Sequence, residues 1–389
     1  MGFNGKATYS AGADLPEMVE DVSDIISIVS PYETPLLDHL SEPKRAAQST
    51  VHEWLEDSLL PNSDTINQTV FTPDGTNTTT VTVANAARFQ VGDQVRPDGS
   101  LEVMMVTAIA GANLTVIRGY GGTTKIALTN GRKLFILGNA ATEGGDAAAA
   151  RFTNRVRRQN YTQIFSATVE VTGSALAARQ YGIADEIDYQ KQERTRELLR
   201  DLENCIINGT AAATTPQGTS TSRRTMNGIV RQLSTNVFSP GAGGIPTGGG
   251  SGSDLNEPIL NACLRAIWDQ SQGRVDTIVV GGTQKRRINS FVSAARSYTP
   301  EDSKYRDMLS VYESDFGVCR VLLSRWMPAD MILLLDSSRI TVPPLQGRSF
   351  HYRQLPSVGD ATAGQVLGEY TLEFRNENAH GLLRGLSAT

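Results

Sequence analysis

The sequence predicts a multi-lobed α+β protein with extended arms, and three observations carry that prediction. At 389 residues the chain exceeds the size at which one hydrophobic core keeps growing, so two or three compact lobes are expected. Residues 69–137 alternate in short runs broken by turn residues, whereas 184–208 carry the periodicity of one long helix. Apolar residues make up 39% of the chain and glycine fills 36 positions, which leaves long loops or arms outside the core.

Residues 1–13 are small and polar and read as an arm or disordered tail. Asp14 and Glu17 form a capping box, Pro16 sits in the first turn, and Leu15, Val19, Val22, Ile25, Ile26 and Val29 follow at helical spacing until Ser30-Pro31. A short amphipathic helix is expected there. Thr34-Pro35 permits another turn of helix using Leu36, Leu37 and Leu40, and 50–55 reads as extended. In the β-rich module the turns fall at Pro97-Asp98-Gly99, Gly111-Ala112-Asn113, 119–122 and Asn130-Gly131. Strands are expected over 103–109, 114–117 and 133–137, at a spacing that suits a compact barrel or sandwich, with linkers at 62–67 and 143–150.

Residues 151–172 return to strand-like sequence before the helix at 184–208, which Asn208-Gly209 closes. Eleven charged residues of that helix, among them Arg196, Glu197, Arg200, Asp201 and Glu203, leave a thin apolar stripe of Ile187, Leu198, Leu202 and Ile206. Two readings stay open: a solvated face laced with i,i+3 pairs such as Glu197 and Arg200, or a helix lying across neighbouring subunits. The run 239–253 holds seven glycines and reads as a mobile loop. Helix over 255–270, a buried strand over 276–282 and helix over 283–295 give an α/β lobe. Strands at 318–323, 331–335 and 365–376 complete the pattern.

Formal net charge is −5 and the pI is near 5.5, so no global positive field exists to hold phosphates and tight DNA binding is not expected. Seven of the 36 basic residues are lysines and 29 are arginines. That bias fits ordered interfaces, because the planar guanidinium loses little freedom per hydrogen bond, and it equally fits a genome-composition bias. Cys205, Cys263 and Cys319 are widely spaced, and the four histidines form no metal-ligand pattern, so neither disulfide nor zinc site is expected. The Gly119–Lys125 run places Thr124, not glycine, before the lysine and reads as a hairpin turn, not a phosphate loop. No nucleophile elbow is present. No catalytic, cofactor or metal residue is assigned, and no enzyme is expected. The longest apolar run, 331–335, is far short of a membrane span, and no basic-then-apolar leader opens the chain. No membrane contact is expected.

Three stretches carry a family resemblance. The first is 20–40, EDVSDIISIVSPYETPLLDHL, with Val51-His52-Glu53-Trp54. The second runs from Arg158 through Asn160, Gln163-Ile164-Phe165 and Val169-x-Val171-x-Gly173 to the ELLRDLE run at 197–203. The third holds Arg325-Trp326-Met327, Leu334-Leu335-Asp336, Gly359-Asp360, EYTLEFRNE at 369–377 and Ala379-His380-Gly381. Together they resemble the SU10-like major head proteins, which adopt the Hong Kong 97 fold of tailed-phage capsids. None is a catalytic motif.

The resemblance implies an N-terminal arm at 1–50, an E-loop at 51–165 with a β-domain inserted at 69–140, a peripheral domain with a long spine helix at 166–210 and 320–389, and an axial domain at 211–319. It implies a structural subunit that self-assembles as hexamers and pentamers into an icosahedral virion shell, built in the host cytoplasm. Its partners would be other copies of itself, a portal protein, separate scaffolding and decoration proteins, and weakly contacted double-stranded DNA. Candidate inter-subunit contacts are Trp54, Arg157, Arg158, Arg196, Glu197, Arg200, Asp201 and Glu203. An encapsulin-type cargo shell shares the fold, and an adhesin acting through the β-domain is a further alternative. One member of the fold joins an E-loop lysine to an asparagine of its neighbour. The two lysines of this region, Lys125 and Lys133, sit in or beside turns, so no such crosslink is expected.

Overall fold

The computed structural model describes residues 34–388 apart from 41–42, 44, 58, 145–149, 154, 178–185, 242, 251, 272, 296–310 and 357–358. The helix expected over 14–29 lies outside the described residues. Helix α1, Pro35–His39, begins on a proline, whose missing N–H falls where a helix has no use for one, and it turns Leu36 inward. Strand β1, Val51–Glu56, follows.

Residues 55–156 form a compact unit of their own. Its strands are β2 (Ser63–Thr65), β3 (Thr80–Thr82), β4 (Asp93–Pro97), β5 (Met104–Ala110), β6 (Asn113–Ile117) and β7 (Lys133–Asn139), hydrogen-bonded in the order β2-β7-β4-β5-β6-β3. A bridge between Ile66 and Val83 joins the two outer strands. There the amides of Asn67 and Ala84 donate to the carbonyls of Thr82 and Thr65 at 2.9 and 3.0 Å, so the sheet closes into a small barrel. Strand alternation sends Val81, Val95, Met104, Val106, Leu114, Val116 and Leu134 into its core. Gly111, at φ 62°, supplies the positive φ that the two-residue β5–β6 hairpin needs. Strand β2 falls in a stretch read from sequence as linker, because three residues are too few to show alternation.

The same unit buries an ion pair. Arg118 grips Glu102 through Nε at 2.7 Å and Nη2 at 2.9 Å, with both side chains at most 1% exposed. The remaining guanidinium hydrogens go to the carbonyls of Gly75, Thr78 and Ile126. Glu102 also accepts the amides of Gly119 and Ile126. Burial pushes the Glu102 carboxyl up, but Arg118 and the amides outweigh it and hold the group below its ordinary value.

The other unit begins again at β8 (Val156–Tyr161), which pairs with β1 as a two-stranded ribbon, and β9 (Gln163–Thr172). It continues through α2 (Gly173–Ala177), α3 (Glu186–Asn208), α4 (Ile229–Gln232), β10 (Val237–Phe238), α5 (Glu257–Ser271), β11 (Thr277–Val280) and α6 (Gly282–Ala295). The remaining strands are β12 (Val311–Ser314), β13 (Gly317–Leu323), β14 (Ile332–Leu335), β15 (Ile340–Thr341), β16 (His351–Gln354), β17 (Ala361–Tyr370), β18 (Glu373–Phe374) and β19 (Gly381–Leu383).

A six-stranded mixed sheet, β10-β19-β14-β11-β13-β12, separates two cores. Its central strands, TIVV and ILLL, are buried at every position, which is why they read as unbroken apolar runs. Val279, Leu333 and Leu335 face a core shared with Leu198, Leu202 and Ile206 of α3. Ile278, Val280, Ile332 and Leu334 face the opposite core, with Ile259, Cys263 and Ile267 of α5. β17 lies between β16 and β9, and its ten residues pair with β9 from Ala361–Thr172 to Tyr370–Gln163.

The glycine-rich run at 239–253, expected to be a mobile loop, instead seats Ile245 in the second core at 9% exposure. A Cβ on Gly249 would come 2.4 Å from Ile245 Cγ2, so this glycine serves close packing.

Candidate functional site

The long helix is the first candidate surface. Leu198, Leu202, Glu203, Ile206 and Ile207 of α3 are buried, so its charges project from the opposite side. There Lys191–Asp188, Arg194–Glu197 and Arg196–Glu193 close at 2.7, 2.6 and 2.7 Å, each at i,i+3. The helix therefore carries its own ladder, with Glu197 held by Arg194. Arg200 lies 3.6 Å from Asp201. Arg196 and Asp201 remain 56% exposed at their side chains. Glu203 departs from the expectation: it is fully buried, turned inward beside Leu202, and is no part of the solvent face.

On the ribbon, Arg157 reaches Glu53 at 3.6 Å with both side chains open to solvent, and Arg158 is exposed beside it. Trp54 also departs from the expectation, since it is only 8% exposed and has little surface left for a neighbour. The sequence reading did not single out the large apolar side chains of the first unit that solvent reaches: Leu59 is 87%, Phe152 80% and Leu55 63% exposed. Leu60 and Phe152 share a pocket with Asp57, Arg151, Thr153 and Arg155. The missed signal was position: these apolar residues flank the barrel, outside the alternating runs that fill its core.

Several polar residues of the second and third matched stretches are internal fasteners. Asn160 is fully buried, with its amide donating to the carbonyls of Asn227 and Leu372 and its oxygen accepting the amides of Tyr161 and Asn227, all at 2.9 Å. Every hydrogen-bonding site on that side chain is filled. Glu369 accepts from Thr162 Oγ1 and Arg224 Nη2 at 2.6 Å each and from Arg348 Nε at 2.8 Å. Glu373 meets His52 at 3.1 Å and Arg375 at 2.5 Å, and the hydrogen bond from His52, against the effect of burial and with the help of Arg375, brings its carboxyl down to about 2. Asn376 takes a left-handed φ of 49°, and the next residue, Glu377, accepts from both the amide and hydroxyl of Thr235.

His380 is fully buried and stacks on Phe374 at 4.3 Å. Its Nδ1 accepts the amide of Asp336, so its Nε2 carries the proton and donates to the carbonyl of Arg375 at 3.2 Å. Burial pushes this imidazole down to about 4, and it is held neutral as a structural bridge.

Chemistry of other kinds finds little footing. The three cysteines are free, with Cys263 and Cys319 buried, and burial pushes their thiols up to about 12 and about 11, which makes them poor nucleophiles. Among the described residues no cluster of three His, Cys, Asp or Glu could hold a metal ion, and no helix is long and apolar enough to cross a membrane. Lys125 and Lys133 are both exposed, far from the desolvation that an amine nucleophile requires.

The fold as a whole is similar to solved structures from phages and from a phage-like particle. A structure from Microbacterium phage Oxtober96 superposes with a TM-score of 0.53 at 10% identity, over 97% of this chain and 99% of that one. The capsid of a native GTA particle gives 0.53 at 11% identity, over 99% and 100%. The fold is thus the Hong Kong 97-like fold of phage capsid proteins. A major capsid protein of Escherichia phage Phieco32 is 34% identical over 73 residues, a match that spans 19% of this chain and 21% of that protein. The model of the SU10 major capsid protein family matches residues 3–387, and the chain belongs to that family.

Proposed function

We propose that this chain is the subunit of an icosahedral virion shell, assembling with copies of itself as hexamers and pentamers around packaged double-stranded DNA. The family match over 3–387 is the observation that carries the reading. In this reading residues 1–50 are the arm, 51–165 the E-loop with its inserted barrel, 166–210 and 320–389 the peripheral domain, and 211–319 the axial domain. Exposed Leu55, Leu59 and Phe152 support an E-loop that finishes its packing on a neighbour, and many weak contacts of that kind suffice in a closed shell. A net charge of −5 supports weak contact with the DNA inside. Portal, scaffolding and decoration proteins complete the partners, with assembly in the host cytoplasm.

Electron microscopy of purified particles tests this. Closed shells with six-fold and five-fold capsomers are expected. A monodisperse monomer at every salt and crowding condition would count against the reading.

A further inference from the structure

Helix α1 begins without a local cap. Thr34 makes no side-chain capping bond, Pro35 has no N–H, and the Asp38 amide already donates to the Thr34 carbonyl. The two orphan amides of the first turn, Leu36 and Leu37, donate instead to Glu203 Oε1 and Oε2 at 3.2 and 3.1 Å, from 167 and 166 residues away in sequence. Ser324 Oγ stands 3.4 Å from Oε1. These are two amides and a hydroxyl, with no cation among them, around a carboxyl that is 0% exposed. Leu36 at 0% and Leu40 at 9% exposure sink into the same core as Leu202 and Ile206.

We propose that Glu203 is the anchor of the N-terminal arm, a proton-sensitive latch on α3 that fixes where the arm leaves the body and loosens as pH rises. That 34–40 is the root of an arm rests on the shell-subunit reading; the latch does not. Both protonation states fit the geometry. Ionised, the carboxylate accepts all three donors. Protonated, Oε1 can turn its hydrogen to Ser324 Oγ and still accept from Leu36, while Oε2 keeps the Leu37 amide.

The charged groups nearby do not offset the burial. Asp38 of α1 adds a like charge, Arg325 beside Ser324 is exposed, and Arg200 on α3 lies 3.6 Å from Asp201. Burial, with Asp38 adding to it and the amides opposing, raises the carboxyl from 4.5 to about 7. Undocking α1 returns Glu203 to water and toward its ordinary value, so docking binds a proton. The Glu203 contribution to docking is therefore fully present below about 4.5 and is lost as pH rises through about 7, while His39 of α1, held below its ordinary 6.5 by burial and Arg320, acts in the opposite sense as pH falls through 6.5.

Hydrogen exchange of the 34–40 segment tests the latch on dispersed full-length subunits, with β11 amides as internal reference. In a His39→Gln background, which removes the opposing imidazole, local opening corrected for chemical exchange should rise about thirty-fold between pH ~5.5 and ~8.5. Glu203→Gln, which has no ionisable proton, should flatten the profile, and Ser324→Ala, which leaves the carboxyl in place, should keep it. A flat profile in that background would overturn the proposal whatever the further variants do, and so would an added Glu203→Gln that leaves the profile unchanged. Failure to form shells would sink the capsid reading and leave this measurement standing.

Discussion

Replacing Glu102 by Gln would leave the Arg118 guanidinium charged and buried in the barrel without its counter-ion. The pair is at most 1% exposed, so water cannot take over. Two amides, Gly119 and Ile126, also compete for the one oxygen that remains. Breaking a buried pair from one side costs about 3–5 kcal/mol. At about 1.36 kcal/mol per decade, this lowers the protection of β5 and β6 amides by roughly two to nearly four orders of magnitude. Hydrogen exchange followed by mass spectrometry on the full chain resolves the two units separately. Because 55–156 is compact by itself, protection in β11 and β14 should hold. A loss below about ten-fold in the barrel would refute the energetic argument, and an equal loss in both units would refute their independence.

Further outcomes follow from other contacts. Reversing Arg196 and Arg200 to Glu disturbs solvent-exposed pairs along the helix, worth only about 0.2–0.5 kcal/mol each, so melting should barely move while shell yield in the microscope falls; unchanged yield would place the ladder entirely within the chain. Glu373 lies near 2 in the folded chain against an ordinary 4.5, so its contribution to stability is present above about 4.5 and is lost as pH falls toward 2. Glu373→Gln should flatten that part of an acid-denaturation curve followed by Trp fluorescence, and an unchanged curve would assign acid sensitivity elsewhere. With Lys125 and Lys133 exposed, particles boiled in detergent should run as one band near 42.0 kDa; a ladder of multimers abolished by Lys125→Ala or Lys133→Ala would show self-crosslinking.

Much of the fold was legible because burial leaves periodic marks. The all-apolar runs of β11 and β14 announce strands covered on both faces, and turn residues outline the barrel. Glu203 was not legible as a buried group, since charge alone groups it with Arg200 and Asp201. A signal existed: Ile207, four residues on, widens the stripe of Leu202 and Ile206 to include the Glu203 side. Partners such as Asn227 for Asn160, or Arg224 and Arg348 for Glu369, are set by tertiary contact across many tens of residues, which no local pattern encodes. Trp54 was named as a contact on the resemblance alone, and only the structure shows that β1 turns it inward at 8% exposure.

The Ile66–Val83 seam has a consequence for a protein made in many copies in a crowded cell. An open sheet of six strands would present two rows of unused amides and carbonyls, each a template for pairing with the next molecule. Joining the outer strands removes both rows at once. A newly made subunit then carries its inserted domain without a ready nucleus for fibrous aggregation while it waits for partners, and mutations that open the seam should show first as insoluble protein.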